Sequence, residues 1–154
     1  TLSKALGAEG GYACASKVII EYLKNKARSF IFATSQTPAT LAAALRAIEV
    51  LEEEPQRAQK LQHNVEFFLN ALHAECVEAY SPTAIIPIII GDEKSALQVA
   101  DELLANGVLA PAIRYPTVAK GTARLRVALM ATHTEAELSQ TAKLIGAAIR
   151  KHKK

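Results

Sequence analysis

The sequence has no tryptophan, one methionine and two cysteines in 154 residues, and aromatic side chains make up only 5% of it. Cys14 and Cys76 lie far apart and lack the close spacing of metal-ligand pairs, which argues against a zinc site or a disulfide framework. Two buried free thiols in a reducing compartment are the expectation. No apolar run is long enough to cross a bilayer, and no stretch has the layout of a signal peptide, so a cytoplasmic protein is expected. The net charge is only +3, and no basic stripe is interleaved with aromatics, which disfavours nucleic-acid binding. The tail Arg150-Lys151-His152-Lys153-Lys154 reads as a solvated helix end that complements the helix dipole. His63, His73, His133 and His152 have neither metal nor triad spacing and read as surface or structural residues. Internal repeats and low-complexity segments are absent.

What is present is an ordinary globular composition, 50% apolar and 21% charged. The length suffices for one good core, or for a small domain with part of another. In order, the pattern predicts a short buried strand over 12–15, then a helix from Ser16 to about residue 28 with Ile19, Tyr22 and Leu23 on one face. A second strand is predicted over 29–33, from its aromatic and β-branched residues. The polar turn 34–38 opens a helix with Leu41, Leu45, Ile48 and Leu51 at helical spacing. Glu52-Glu53-Glu54-Pro55 breaks it, because the residue before a proline is pushed out of the helical region. A further helix carries Leu61, Val65, Phe68, Leu69 and Leu72.

The remainder predicts strand, helix, strand, strand, helix. The first strand spans 84–90, with Pro87 marking an edge or bulge. Its helix turns Leu97, Ala100, Leu103 and Leu104 inward and stops at Gly107. A strand over 108–114 is interrupted by Pro111. Residues 123–130 alternate, with Leu125, Val127 and Leu129 on one face and Arg124, Arg126 and Ala128 on the other. Thr134 and Glu137 form a capping box for a last helix that buries Leu138, Ala142, Ile145 and Ile149. This order predicts an α+β, layered sandwich with a mostly antiparallel sheet covered by helices.

The stretch with the most chemistry is Thr1-Leu2-Ser3-Lys4-Ala5-Leu6-Gly7, followed by Gly10-Gly11. Glycines let the backbone pass close to a bulky ligand, and hydroxyls with free N–H groups can hold a phosphate. A lysine there can bond covalently to a carbonyl, which requires a neutral amine. The ordinary alternative is a solvated loop lysine. The stretch resembles the cofactor-lysine segment of the α-oxoamine synthases, fold-type I enzymes that use pyridoxal 5′-phosphate (PLP). Three more stretches match in order: Ser29-Phe30-Ile31-Phe32-Ala33-Thr34-Ser35, Ala112-Ile113-Arg114-Tyr115-Pro116-Thr117-Val118 and Gly121-Thr122-Ala123-Arg124-Leu125-Arg126. The resemblance spans essentially the whole chain but only the C-terminal part of such an enzyme. The family's pyridinium-binding Asp, ring-stacking His and glycine-rich phosphate loop precede it, so a fragment of a longer polypeptide is expected.

The resemblance implies a remnant of the PLP-binding large domain and a connecting helix in residues 1–52, and the C-terminal small domain in residues 53–154. It implies PLP as cofactor and a homodimer whose active site is shared between subunits. The closest pattern is that of the biotin-pathway branch, which condenses L-alanine with pimeloyl-CoA or a pimeloyl carrier protein. Sister enzymes acting on glycine or serine are the alternative, as is a fragment that serves only as a folding or dimerisation module. Lys4 would hold PLP and move the α-proton, and Thr1 would touch the phosphate. Thr34 would reach the phosphate of the neighbouring subunit; Ala33 stands where the family carries another hydroxyl, and a helix cap is an equal use for Thr34. Arg126 would grip the amino-acid carboxylate, bidentately as a guanidinium can. Spacing does not separate it from Arg124; only the resemblance selects it. Arg114 and Thr117 would line the substrate side, with Ala119 in place of a family proline. By itself the chain is expected to bind PLP weakly and to associate through its exposed apolar faces.

Overall fold

The computed structural model describes residues 1–152. Contacts cluster into two units, Thr1–Pro55 and Gln56–Lys154. Lys153 and Lys154, the end of the basic tail, lie outside the described residues.

The first unit starts with a closed turn. Leu2 N–H donates to Gly10 O, Ala8 N–H to Leu2 O and Gly7 N–H to Lys4 O. Gly7 and Gly10 have φ of 58° and 111°, backbone that side-chain-bearing residues rarely adopt. Three helices follow: α1 (Lys17–Lys26), α2 (Arg28–Ile31) and α3 (Pro38–Glu53). Thr37 caps α3 by accepting from Thr40 N–H, with Pro38 in the first turn, where its missing N–H costs nothing. The small core consists of Leu2, Ala8 and Ala44.

Two expected strands do not form. Residues 12–15 are irregular and exposed, and the segment expected to be a strand over 29–33 carries α2 instead. A strand needs a partner to satisfy its backbone, whereas a helical turn satisfies its own. No strand partner lies within this unit. The apolar stripe on α3 is helical as expected but uncovered: Leu41, Leu45, Ile48 and Leu51 are all exposed, and so are Ile19, Tyr22 and Leu23 on α1.

The second unit runs α4 (Gln56–Ala74), β1 (Ile85–Gly91), α5 (Glu93–Ala105), β2 (Ala112–Ile113), β3 (Ala123–Ala128) and α6 (Glu135–His152). The sheet is antiparallel with order β1-β3-β2, so β3 is central and Pro87 sits on an edge strand, where its missing N–H is tolerated. Ile86, Ile88 and Ile90 alternate inward from β1, as do Leu125 and Val127 from β3, joined by Leu129 just past its end. They pack against Phe68 and Leu72 of α4, Val99 and Leu103 of α5, and Leu138 and Ile145 of α6. The Thr134–Glu137 capping box is present in both directions.

Three details differ from expectation. β2 is only Ala112–Ile113, because Pro111 cannot donate to the ladder, although its carbonyl still accepts from Arg126 N–H at 2.9 Å. α5 buries Ala96, Val99 and Leu103, leaving Leu97 and Leu104 exposed; neighbouring stripes on a helix lie one residue apart, and docking chooses between them. Both cysteines are exposed free thiols rather than buried ones.

Cys76 also carries a positive φ of 59°. Val77 N–H donates to Leu72 O, and Cys76 N–H donates to His73 O, which is the Schellman closure that glycine favours at this position. Cys76→Gly is therefore expected to stabilise the second unit by about 0.5–1 kcal/mol, after the greater unfolded-chain freedom of glycine is set against the left-handed penalty. Urea unfolding followed by circular dichroism measures it, and an unchanged or lower midpoint would count against this account of the helix end.

Candidate functional site

In the first unit the closed turn gathers three side chains. Lys4 Nζ donates to Ser3 Oγ at 3.2 Å, Ser3 Oγ and Thr1 Oγ1 are 2.9 Å apart, and Thr1 Oγ1 donates to Gly10 O at 3.2 Å. Lys4 itself is exposed, while Leu2 beside it is buried and anchors the turn. Gly10 gives room to Gln36: a Cβ there would fall 1.6 Å from the Gln36 amide nitrogen. An amine beside two hydroxyls and a left-handed glycine turn is a donor set that suits an aldehyde-bearing phosphate ester.

Thr34 is exposed, and among the described residues its hydroxyl makes no hydrogen bond. The cap of α3 belongs to Thr37, so the capping use of Thr34 falls away. The structure thus brings Thr1 and Lys4 together and joins neither to Thr34 by a hydrogen bond.

In the second unit the candidate residues lie on β3 and the loop before it. Thr117 N–H donates to Arg114 O at 3.0 Å, closing a turn that includes the cis Tyr115–Pro116 bond. Thr122 Oγ1 donates to Ala119 O at 2.7 Å, and Lys120 Nζ lies 5.2 Å from the centre of the Tyr115 ring. Arg124 Nε donates to Thr122 O at 3.0 Å, while Arg126, two residues on, is exposed on the same face. Arg126 also borders an open groove of about 870 Å³ whose apolar walls include Leu109, Met130 and Leu144.

The turn after β3 is held by Asn64, a residue the apolar periodicity of α4 did not single out. Its Nδ2 donates to Met130 O at 2.9 Å and His133 O at 3.0 Å, and the residue is fully buried. The only sequence signal was a polar side chain next to Val65 inside an apolar stripe. His133 Nδ1 accepts from Met130 N–H at 3.3 Å, which gives this histidine a structural use. Nearby, the Thr134 N–H and hydroxyl hold the Glu137 carboxyl below its usual range, and a hydrogen bond from His63 does the same for Glu135. Among the described residues no His, Cys, Asp and Glu side chains cluster to hold a metal ion, and no helix is long and apolar enough to cross a membrane.

A small antiparallel sheet backed by helices, preceded by a lysine turn, is the arrangement found at the C-terminal end of fold-type I transferases. The aminotransferase class I and II profile matches residues 1–145, and the chain belongs to that family. It is similar to 8-amino-7-oxononanoate synthase 1 of Bacillus subtilis (strain 168), with 49% identity over 146 residues, which is 94% of this chain and 37% of the relative. Among solved structures, 8-amino-7-oxononanoate synthase from Francisella tularensis superposes with a TM-score of 0.84 at 30% identity, covering 97% of this chain and 44% of that one. Serine palmitoyltransferase from Sphingomonas wittichii gives 0.87 at 26% identity, covering 99% of this chain and 39% of that one. The chain spans well under half the length of each. Within the family it is similar to α-oxoamine synthases, among them 8-amino-7-oxononanoate synthase.

Proposed function

We propose that this chain is the C-terminal part of a PLP-dependent acyltransferase that condenses L-alanine with pimeloyl-CoA, or a pimeloyl carrier protein, to 8-amino-7-oxononanoate, CO2 and CoA in biotin biosynthesis. The observation that carries this is the 49% identity to the Bacillus subtilis synthase over 146 residues, 94% of this chain. Residues 1–52 are read as a remnant of the large domain with its connecting helix, and residues 53–154 as the small domain. The intact enzyme is read as a cytoplasmic homodimer with a shared site.

Bound PLP supplies an electron sink for negative charge at the α-carbon. Lys4 holds the cofactor and takes the proton from the α-carbon of the amino acid, and its exposed amine beside two hydroxyls supports that role. Thr1 gives a hydroxyl to the phosphate, and Thr34, whose hydroxyl makes no hydrogen bond among the described residues, gives it across the dimer. Arg126 binds the alanine carboxylate, while Arg114 and Thr117 shape the substrate side through their shared turn. A sister reaction, with serine as amino acid, draws support from the superposition on serine palmitoyltransferase, but the lower identity of 26% favours the alanine reaction. Assaying the intact polypeptide with alanine, glycine and serine against pimeloyl, acetyl, succinyl and palmitoyl thioesters decides between them; turnover with serine and palmitoyl thioester alone would overturn the alanine assignment.

Arg126→Ala is expected to raise KM for alanine in the intact polypeptide much more than Arg124→Ala does. Removing one partner of a desolvated carboxylate pair costs about 2–5 kcal/mol. Equal increases from the two substitutions would remove the preference for Arg126.

A further inference from the structure

The sheet face that the helices leave bare has two arginines at its centre. The register sets Arg124 opposite Ile89 on β1 and Ile113 on β2, and Arg126 opposite Pro87. Side chains alternate along strands, so these residues share one face. Ile85 and Ile89 on that face are 45% and 49% exposed. The register places no acidic residue there, and neither guanidinium has a carboxylate partner among the described residues. Arg124 is half-buried, and its Nε is committed to Thr122 O, which holds the planar head while leaving both terminal nitrogens to donate. A fixed fork among exposed isoleucines suits an anion carried on an apolar chain.

We propose that Arg124 selects an acyl donor whose chain ends in a carboxylate. This rests on the acyltransferase reading above. Arg126 takes the carboxylate of the amino acid, Arg124 takes the far carboxylate of the acyl chain, and the methylenes lie over Ile89 and Ile113. The spacing supports it, since same-face neighbours on a strand are about 7 Å apart. An extended chain gains about 3.5 Å for every three bonds, so a seven-carbon diacid spans about the same distance between its ends. Condensation joins the acyl carbonyl carbon beside the first carboxylate, which leaves the second within reach of Arg124.

Titrating the 154-residue chain with heptanedioate, heptanoate and acetate, and following arginine Nε–H and isoleucine methyl signals by NMR, tests this directly. Heptanedioate is expected to bind at least about tenfold more tightly than heptanoate, the scale of one charge-assisted hydrogen bond. It should move the Arg124, Arg126, Ile89 and Ile113 signals together. Arg124→Gln should reduce heptanedioate to the affinity of heptanoate while leaving the response of Arg126 to acetate unchanged. Equal affinities for the two ligands would overturn the proposal, as would shifts confined to Leu109, Met130 and Leu144, which would place the chain in the groove.

In the intact polypeptide, Arg124→Gln should raise KM about tenfold for the carboxyl-ended thioester and leave the methyl-ended analogue unchanged. A purely structural role through Thr122 would raise both and overturn the proposal. The titration needs no catalysis, so a synthase assay that fails counts against the acyltransferase reading alone, and a titration that fails counts against the Arg124 assignment alone.

Discussion

In the intact polypeptide, Lys4→Ala is expected to lower kcat by about 10²–10⁴-fold or more, the contribution of a positioned proton-transfer group, and to abolish covalent labelling with PLP after borohydride reduction. The two effects have one cause. In the proposed reaction a single primary amine would both attach to the cofactor and move the α-proton, and the side chains beside it in this turn, Ser3 and Thr1, contribute only hydroxyls. The substitution spares the fold, because Lys4 is exposed and the turn is closed by backbone bonds between Leu2 and Gly10 and between Ala8 and Leu2. Its stability cost should stay within about 0.5 kcal/mol, as for other exposed sites. Mass spectrometry of the reduced, digested protein locates the label. Label retained in the variant at wild-type stoichiometry would show that another lysine carries the cofactor.

The largest stability effect is expected from Phe68→Ala. Phe68 is fully buried on α4, in the cluster that joins the helices to the inward face of β1 and β3. Truncating a buried phenylalanine costs about 3–5 kcal/mol, from lost transfer energy and from the cavity left behind. That is a large share of the total stability of a domain of this size, so the second unit should be largely unfolded at moderate urea concentration. Phe67, its half-buried neighbour in sequence, supplies the control, since Phe67→Ala removes less buried surface. A pair of urea titrations read by circular dichroism compares them. Equal losses would mean that the core is centred elsewhere.

The second unit was legible from local pattern because each of its signals is answered inside the unit. Leu125, Val127 and Leu129 alternate toward helices that the same stretch of chain provides, and the Thr134–Glu137 box is satisfied within one helical turn. The first unit was legible only in α1 and α3. Aromatic and β-branched residues over 29–33 carry strand propensity, but propensity is a preference for a pleated, paired surface, and without a ladder partner the segment winds into α2. The candidate residues followed the same division. The hydroxyls around Lys4 could be anticipated because residues 1–4 are adjacent in the chain. Asn64 could not, because its two acceptors lie on a turn more than sixty residues away.

By itself the sequence determined the helices of both units other than α2, the strand 123–128 with its arginine face, the break at Pro55 and the family resemblance carried by the lysine and arginine motifs. These are consequences of short-range periodicity, capping chemistry and proline sterics, which a stretch of chain expresses wherever it lies. Only the tertiary structure decided which stripe of α5 is buried, that β2 shrinks to two residues, that both thiols are exposed, and that Thr37 rather than Thr34 caps α3. It also decided that Arg124 and Arg126 have no carboxylate partner among the described residues, with Arg124 set between Ile89 and Ile113 and held by Thr122. Each of these depends on what packs or pairs against a residue from elsewhere in the chain, and local pattern carries no information about that partner.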